Sequence, residues 1–197
     1  MYAFCKCYSL TKIIIPSSVT KIGTYAFLLC ESLVEINIPA SVTIIESNAF
    51  CECKSLKKIN LPPFLKVLSD GIFESCESLE EIEIPPFVTK IQSHAFRSCS
   101  SLTHIKIPPS VTIIEESAFS SCESLVHVEL PSSLKIIEKN VFDSCTKLEQ
   151  IEIPSSVTEI KAYAFDRCVS LKHVGLPPSL KNIHPKAFKN CSSLKEF

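Results

Sequence analysis

The stretch AFRSCSSLTHIKIPPSVTIIEESAFSSC, residues 95–122, begins and ends with the same motif. Residues 95–99 return 23 positions later as residues 118–122, and this interval holds along the chain. Phenylalanine recurs nine times at this spacing, from Phe4 to Phe188, and a cysteine follows each phenylalanine by three residues. Self-similarity at such a period predicts a solenoid, because one unit is too small to bury its apolar face and buries it against the next unit.

Length and charge are consistent with one elongated domain. We predict a single solenoid domain over residues 1–197, with about eight repeats and with both ends falling inside a repeat. No apolar run approaches the roughly 18 residues of a membrane span, so no span is predicted. The net charge is −1, from 20 basic and 21 acidic residues, and gives no electrostatic footprint for nucleic acid.

Each repeat contains three local patterns. Apolar and polar residues alternate over residues 104–107, which predicts a strand with one buried face that ends at Pro108. Residues 110–114 are rich in β-branched side chains and predict a second short strand. Residues 93–98 predict a single helical turn. The predicted fold class is therefore an α/β, mainly β repeat solenoid, with a parallel sheet on its concave face and a core of Ala, Phe, Cys, Leu, Val and Ile columns.

These spacings carry a family resemblance. The pattern L-x-x-I-x-I-P, then V-x-x-I, then A-F-x-x-C, as in residues 33–39, 42–45 and 49–53, resembles the BspA-type leucine-rich repeat over effectively the whole chain. The resemblance implies a right-handed leucine-rich repeat solenoid. Proteins of this type are mostly surface proteins of mucosal bacteria and of anaerobic protist parasites, implicated in adhesion to host cells and matrix proteins. The family defines core columns and assigns no catalytic residue.

Eleven cysteines raise the question of disulfides or metal. Nine of them fall in one inward column, where parallel side chains do not satisfy the disulfide dihedral without backbone movement. Cys5 and Cys51 form C-x-C pairs with Cys7 and Cys53, but they lie two repeats apart, too far for a direct bridge. The regular ladder does not resemble the closed set of four ligands of a zinc site. We therefore predict free buried thiols, no metal and no cofactor.

Motifs of catalysis are missing from the sequence. There is no G-x-S-x-G, no H-E-x-x-H and no P-loop, so we predict no enzyme and no catalytic residue. His104 and His127 are adjacent on the strand face, and His173 shares their column two rungs further on. Two interpretations stay open: a weak pH-sensitive or metal-binding cluster, or a solvated strand face that tolerates histidine, which we favour.

Candidate partner-binding residues occupy the two outward columns of the first strand, where solenoids commonly bind partners. Lysine and glutamate alternate over the first four rungs of one column, from Lys12 to Glu81, so neighbouring side chains are expected to attract. The candidates in these columns are Glu35, Lys58, Glu81, Glu83, His104, Lys106, His127, Glu129, Glu152 and His173.

A third column departs more sharply from the repeat. It contains serine at six positions between Ser18 and Ser179, but Phe64 and Phe87 in two consecutive repeats, each after a double proline. Because these side chains come just past a strand end, we expect them at the surface as an anchor for a protein partner. The alternative is that both rings cover the edge of the coil or pack on the adjacent prolines.

The leading functional hypothesis is a non-enzymatic protein-binding domain, acting at the cell surface or outside the cell in adhesion or recognition. The runner-up is a cytoplasmic scaffold for protein–protein interactions. The sequence starts inside a repeat without a visible secretory signal, and residues 195–197 are predicted to stop partway through a strand. We expect uncapped terminal coils to fray or self-associate.

Overall fold

The chain forms a solenoid of short parallel strands in the computed structural model, which describes residues 1–195. The end of the predicted terminal strand, Glu196 and Phe197, lies outside the described residues. The three-residue strands, here called long strands, are β2 (Glu35–Asn37), β4 (Lys58–Asn60), β7 (His104–Lys106), β9 (His127–Glu129), β11 (Gln150–Glu152) and β13 (His173–Gly175). The two-residue short strands are β1 (Lys21–Ile22), β3 (Ile44–Ile45), β5 (Val67–Leu68), β6 (Lys90–Ile91), β8 (Ile113–Ile114), β10 (Ile136–Ile137), β12 (Glu159–Ile160) and β14 (Asn182–Ile183).

Neighbouring coils pair in register. In the long strands, Ile36 lies beside Ile59 and His104 lies beside His127, and in the short strands Ile22 lies beside Ile45. Each residue of a paired strand therefore has the residue 23 positions further on as its neighbour. The predicted parallel pairing and the prediction of columns are confirmed.

The ladder of long strands is interrupted twice, between β4 and β7 and between β9 and β11. Strands pair as β2 with β4, β7 with β9 and β11 with β13, and residues 81–83 between β4 and β7 are not a strand. The prediction that Glu81 and Glu83 lie on a strand is therefore wrong, although both side chains are exposed and flank the buried Ile82. Glutamates at positions 80, 81 and 83 concentrate like charge in this segment, which opposes regular pairing.

The predicted helical turn is also wrong. No helix occurs within residues 1–195, and therefore none that is long and apolar enough to cross a bilayer. His94 and Ser98 have φ of 57° and 59°, in the left-handed region, which a right-handed helical turn excludes. Alternate backbone amides donate their hydrogen bonds to the next coil. Phe96 N–H donates to Ala118 O of the next coil at 2.8 Å, whereas Cys99 N–H donates to Phe96 O of its own coil at 3.1 Å.

The core is one continuous cluster of the predicted apolar columns, running from Ile22 to Ala187. Phenylalanine rings stack along its length, with centroids 5.5 Å apart for Phe73 and Phe96 and 5.2 Å apart for Phe96 and Phe119. Stacked aromatic rings at this separation add to the stabilisation from burial alone. The repeat thus stabilises itself through contacts between identical residues of adjacent coils.

The cysteine column lies inside this core, and all eleven cysteines are free thiols. Each buried thiol of the column donates to a phenylalanine carbonyl of the preceding coil, as Cys99 Sγ does to Phe73 O at 3.2 Å. Burial raises the pKa of the Cys122 thiol to about 12. The prediction that the whole column is interior is wrong at its ends, because Cys7 is exposed and Cys191 is half-buried.

This burial predicts a sharp division of thiol reactivity. At pH 8 the disulfide reagent DTNB is expected to react rapidly with Cys5, Cys7 and Cys191, and with the eight buried cysteines only after unfolding. Denatured protein should release all 11 equivalents, and a smaller number would contradict the assignment of free thiols.

Candidate functional site

The face formed by the long strands carries most of the candidate residues, and their side chains are exposed as predicted. Its charges are less paired than the sequence indicated. Lys12 Nζ lies 3.8 Å from Glu35 Oε1, but Lys58 and Glu81 form no ion pair within residues 1–195. The expectation that lysine and glutamate pair along this column is therefore wrong beyond the first pair. The middle of this face keeps charged side chains available to a partner.

The three histidines of this face are solvated. His104 and His127 are register partners, and each has a polar contact within its own coil: His104 Nδ1 lies 3.0 Å from Thr103 Oγ1, and His127 Nε2 lies 3.9 Å from Glu129 Oε1. His173 Nε2 lies 3.8 Å from Glu152 Oε1. Among the described residues no group of three or more His, Cys, Asp or Glu side chains is arranged to hold a metal.

The aromatic pair is an exposed departure from the repeat. Phe64 is 58% exposed and Phe87 is 55% exposed, and their ring centroids lie 6.0 Å apart. The rings stack on each other and present one continuous apolar surface to solvent. This exposure leaves both predictions open: an anchor for a protein partner, or rings that cover the edge of the coil or pack on the adjacent prolines.

The serines of the same column have a structural role. The hydroxyls of Ser41, Ser110 and Ser156 each donate to a backbone carbonyl of the preceding coil, at 2.7, 2.6 and 2.6 Å. Phenylalanine has no donor, so Phe64 and Phe87 give up this bond. Hydrogen bonds of this kind contribute about 1 kcal/mol each, so the aromatic side chains replace a stabilising contact with exposed apolar surface.

A groove adjoins the aromatic pair on the face of the short strands. It has a volume of about 460 Å³, and Phe64 lines it together with Ile44, Lys66 and Val67. Sequence reasoning missed these last three residues, because it examined only the long-strand columns and the serine column. A signal was present: residues 64–67 read F-L-K-V where residues 110–113 read S-V-T-I, so all four positions differ.

The architecture defines the class of protein. A parallel solenoid whose coils repeat every 23 residues around leucine, isoleucine and valine columns is a leucine-rich repeat protein. The sequence matches the model of the BspA type leucine rich repeat region, in 6 copies, over residues 1–126 and 112–197. The chain therefore belongs to the BspA-type leucine-rich repeat family. A search of the curated proteins found no match.

Two solved structures are similar to the chain in sequence and in fold. A leucine-rich repeat protein from Bacteroides ovatus ATCC 8483 is 31% identical with a TM-score of 0.81, and the match covers 90% of this chain and 58% of that chain. The leucine-rich repeat protein of T. pallidum, TpLRR, is 31% identical with a TM-score of 0.77, covering 83% of this chain and 78% of that chain. This chain thus spans little more than half of the B. ovatus chain. These likenesses confirm the predicted family and the mainly β solenoid.

Proposed function

We propose that the chain is a non-enzymatic protein-binding domain that acts in cell-surface adhesion or recognition and contacts its partner through Phe64 and Phe87. The observation that carries the proposal is the replacement of a hydrogen-bonding serine by an exposed phenylalanine in two consecutive coils. The change removes a stabilising hydrogen bond and exposes more than half of two stacked rings, and it provides the aromatic anchor typical of protein interfaces.

The fold supports a binding role over a catalytic one. Leucine-rich repeat solenoids are typically non-catalytic, and the extended surface of a solenoid commonly binds other proteins. On the long-strand face, Lys58, His104, Lys106 and their neighbours supply a separate, exposed polar surface. We infer that these side chains contribute orientation and association rate, since exposed charges at an interface act mainly on those properties.

The placement at the cell surface rests on the BspA family, whose members are associated with surfaces. The cytoplasmic scaffold is the alternative. The surface role and the scaffold role differ in the source of the partner protein. Binding is therefore tested with a surface-protein extract and a panel of matrix proteins, and separately with a cytosolic extract. Partners recovered only from the cytosolic extract would contradict a surface role.

The double substitution Phe64→Ser with Phe87→Ser tests the proposed contact. It restores the residue found elsewhere in the column, so the unfolding midpoint should stay the same or rise slightly. Partner affinity should fall at least tenfold, since a central aromatic anchor contributes about 2 kcal/mol or more. Affinity is measured by surface plasmon resonance with the recovered partner.

A matched control comes from the same column. Ser133→Ala removes a hydroxyl that donates to Val111 O, yet it changes no aromatic surface. This variant should bind the partner like the wild type while losing about 1 kcal/mol of stability. Equal affinity of the wild type and the Phe64→Ser, Phe87→Ser variant would remove the aromatic pair as the binding site.

A further inference from the structure

The face of the short strands carries two apolar pairs that differ in their surroundings, each with one exposed and one half-buried residue. Ile44 is 50% exposed and lines the groove together with Val67 of the next coil. Ile113 is 47% exposed, and Ile136 occupies the equivalent position of the coil that follows it. Lys90 separates the two pairs along the column. The chain therefore provides its own comparison between two similar apolar pairs.

Only the first of these pairs adjoins the exposed aromatic rings. Ile44 and Val67 line the groove together with Phe64, on which Phe87 stacks. The second pair follows Ser110 and Ser133, whose hydroxyls donate to backbone carbonyls. The volume of the groove, about 460 Å³, lies within the roughly 300–1,000 Å³ of small-ligand pockets, and two apolar walls meet in it. This geometry fits a few side chains of an extended segment.

The charge of the groove is positive. Lys66 is the one charged residue of its lining, and it forms no ion pair within residues 1–195. The neighbouring lysines are already paired, Lys21 with Glu46 and Lys90 with Glu115. Lys66 also replaces the threonine found at the equivalent position in the coils on either side, Thr43 and Thr89. An unpaired cation beside an apolar groove favours an occupant that carries a carboxylate.

We propose that this groove binds an acidic segment of a partner protein, with apolar side chains against Phe64, Ile44 and Val67 and a carboxylate on Lys66. The proposal rests on the proposed function, since it assigns a chemistry to the partner of the aromatic pair. It also places the contact on the short-strand face and separates it from the long-strand columns. The rings and the groove then form one surface that recognises an apolar residue next to an acidic residue of the partner.

The test uses a displayed library of random peptides selected on the immobilised full chain and on its Lys66→Glu variant. Peptides enriched on the wild type should carry Asp or Glu next to an aliphatic or aromatic residue. Peptides enriched on Lys66→Glu should carry Lys or Arg there instead. A synthetic wild-type-selected peptide should bind Lys66→Glu about tenfold more weakly, because an attraction is exchanged for a repulsion, and its affinity should fall with added salt.

Lys135→Glu is the matched control, because residues 133–136 read S-L-K-I and repeat the lysine and the aliphatic residue without the aromatic ring. It should bind the selected peptide like the wild type. Equal weakening by both variants would indicate general electrostatic attraction and would overturn the assignment to this groove. The unfolding midpoints of both variants, measured by circular dichroism, verify that they are folded.

Two further outcomes separate this inference from the proposed function. Enriched peptides that lack acidic residues, or that bind Lys66→Glu as tightly as the wild type, would overturn the proposal of an acidic partner. If those peptides did not bind the Phe64→Ser, Phe87→Ser variant, the aromatic contact would still be supported. Self-association of the wild type that competes with the peptide would assign the groove to a second copy of the chain and overturn the proposal. The proposed function fails separately, through undiminished binding of the recovered partner to the Phe64→Ser, Phe87→Ser variant.

Discussion

Raising the pH from 8 to 10 is expected to remove on the order of 8 kcal/mol of folding stability and to unfold most of the chain. The cause is the cysteine column. Seven of its thiols have no exposed surface. In six of them burial is the main cause that raises the pKa above its ordinary value of 9.0; they are Cys30, Cys53, Cys76, Cys99, Cys122 and Cys145.

The direction of the effect follows from these raised values. Because the folded-state pKa lies above the unfolded-state value, the neutral thiols stabilise the fold fully below about pH 9, and this contribution is lost as the pH rises towards the folded-state pKa. At pH 10, one unit above the ordinary value, each thiol favours the unfolded chain by about 1.4 kcal/mol. Together, six thiols then offset a large part of the free energy of unfolding of a typical domain, which is about 5–15 kcal/mol.

Urea unfolding at pH 8 and at pH 10 under reducing conditions measures the loss. A double variant, Cys99→Ala with Cys122→Ala, should be less stable at pH 8 but should lose about 3 kcal/mol less than the wild type between the two pH values. A loss that does not depend on the number of cysteines would contradict the mechanism, and would assign the alkaline sensitivity to the lysine–glutamate pairs of the surface.

Phe96→Ala is expected to destabilise the chain by about 3–5 kcal/mol. Phe96 is fully buried in the middle of the stack, between the rings of Phe73 and Phe119. Truncation removes both ring contacts and leaves a cavity that neighbouring coils fill poorly, because their backbones are joined by ladder hydrogen bonds. A solenoid is stabilised by contacts between adjacent coils, so the cavity should also weaken the coupling between its two halves and lower the urea m-value.

Phe87→Ala is the control for this experiment, since it removes the same ring from an exposed position. Its unfolding free energy should change by less than about 0.5 kcal/mol. An unfolding midpoint for Phe96→Ala equal to that of the wild type would contradict the interior position of the phenylalanine column.

The repeat period by itself determined most of the fold. Because coils stack in parallel and in register, the neighbour of a paired residue is the residue 23 positions away, so columns of Phe, Cys and Ile are readable without a structure. Inward columns predicted the core, and the break in the serine column predicted the exposed pair Phe64 and Phe87.

Only the tertiary structure decided the features in which a group has more than one possible hydrogen-bond acceptor or ion-pair partner. The turn around His94 is not a helix because alternate amides donate to the next coil, and no pattern within one repeat reveals which acceptor each amide takes. Lys21 pairs with Glu46, 25 positions away, and not with a residue of its own column. The groove joins Ile44 of one coil to Phe64 and Lys66 of the next. Periodicity determines which residues share a column. The shape and charge of a surface depend on side chains from different columns, and the distances between those side chains are set only when the coil folds.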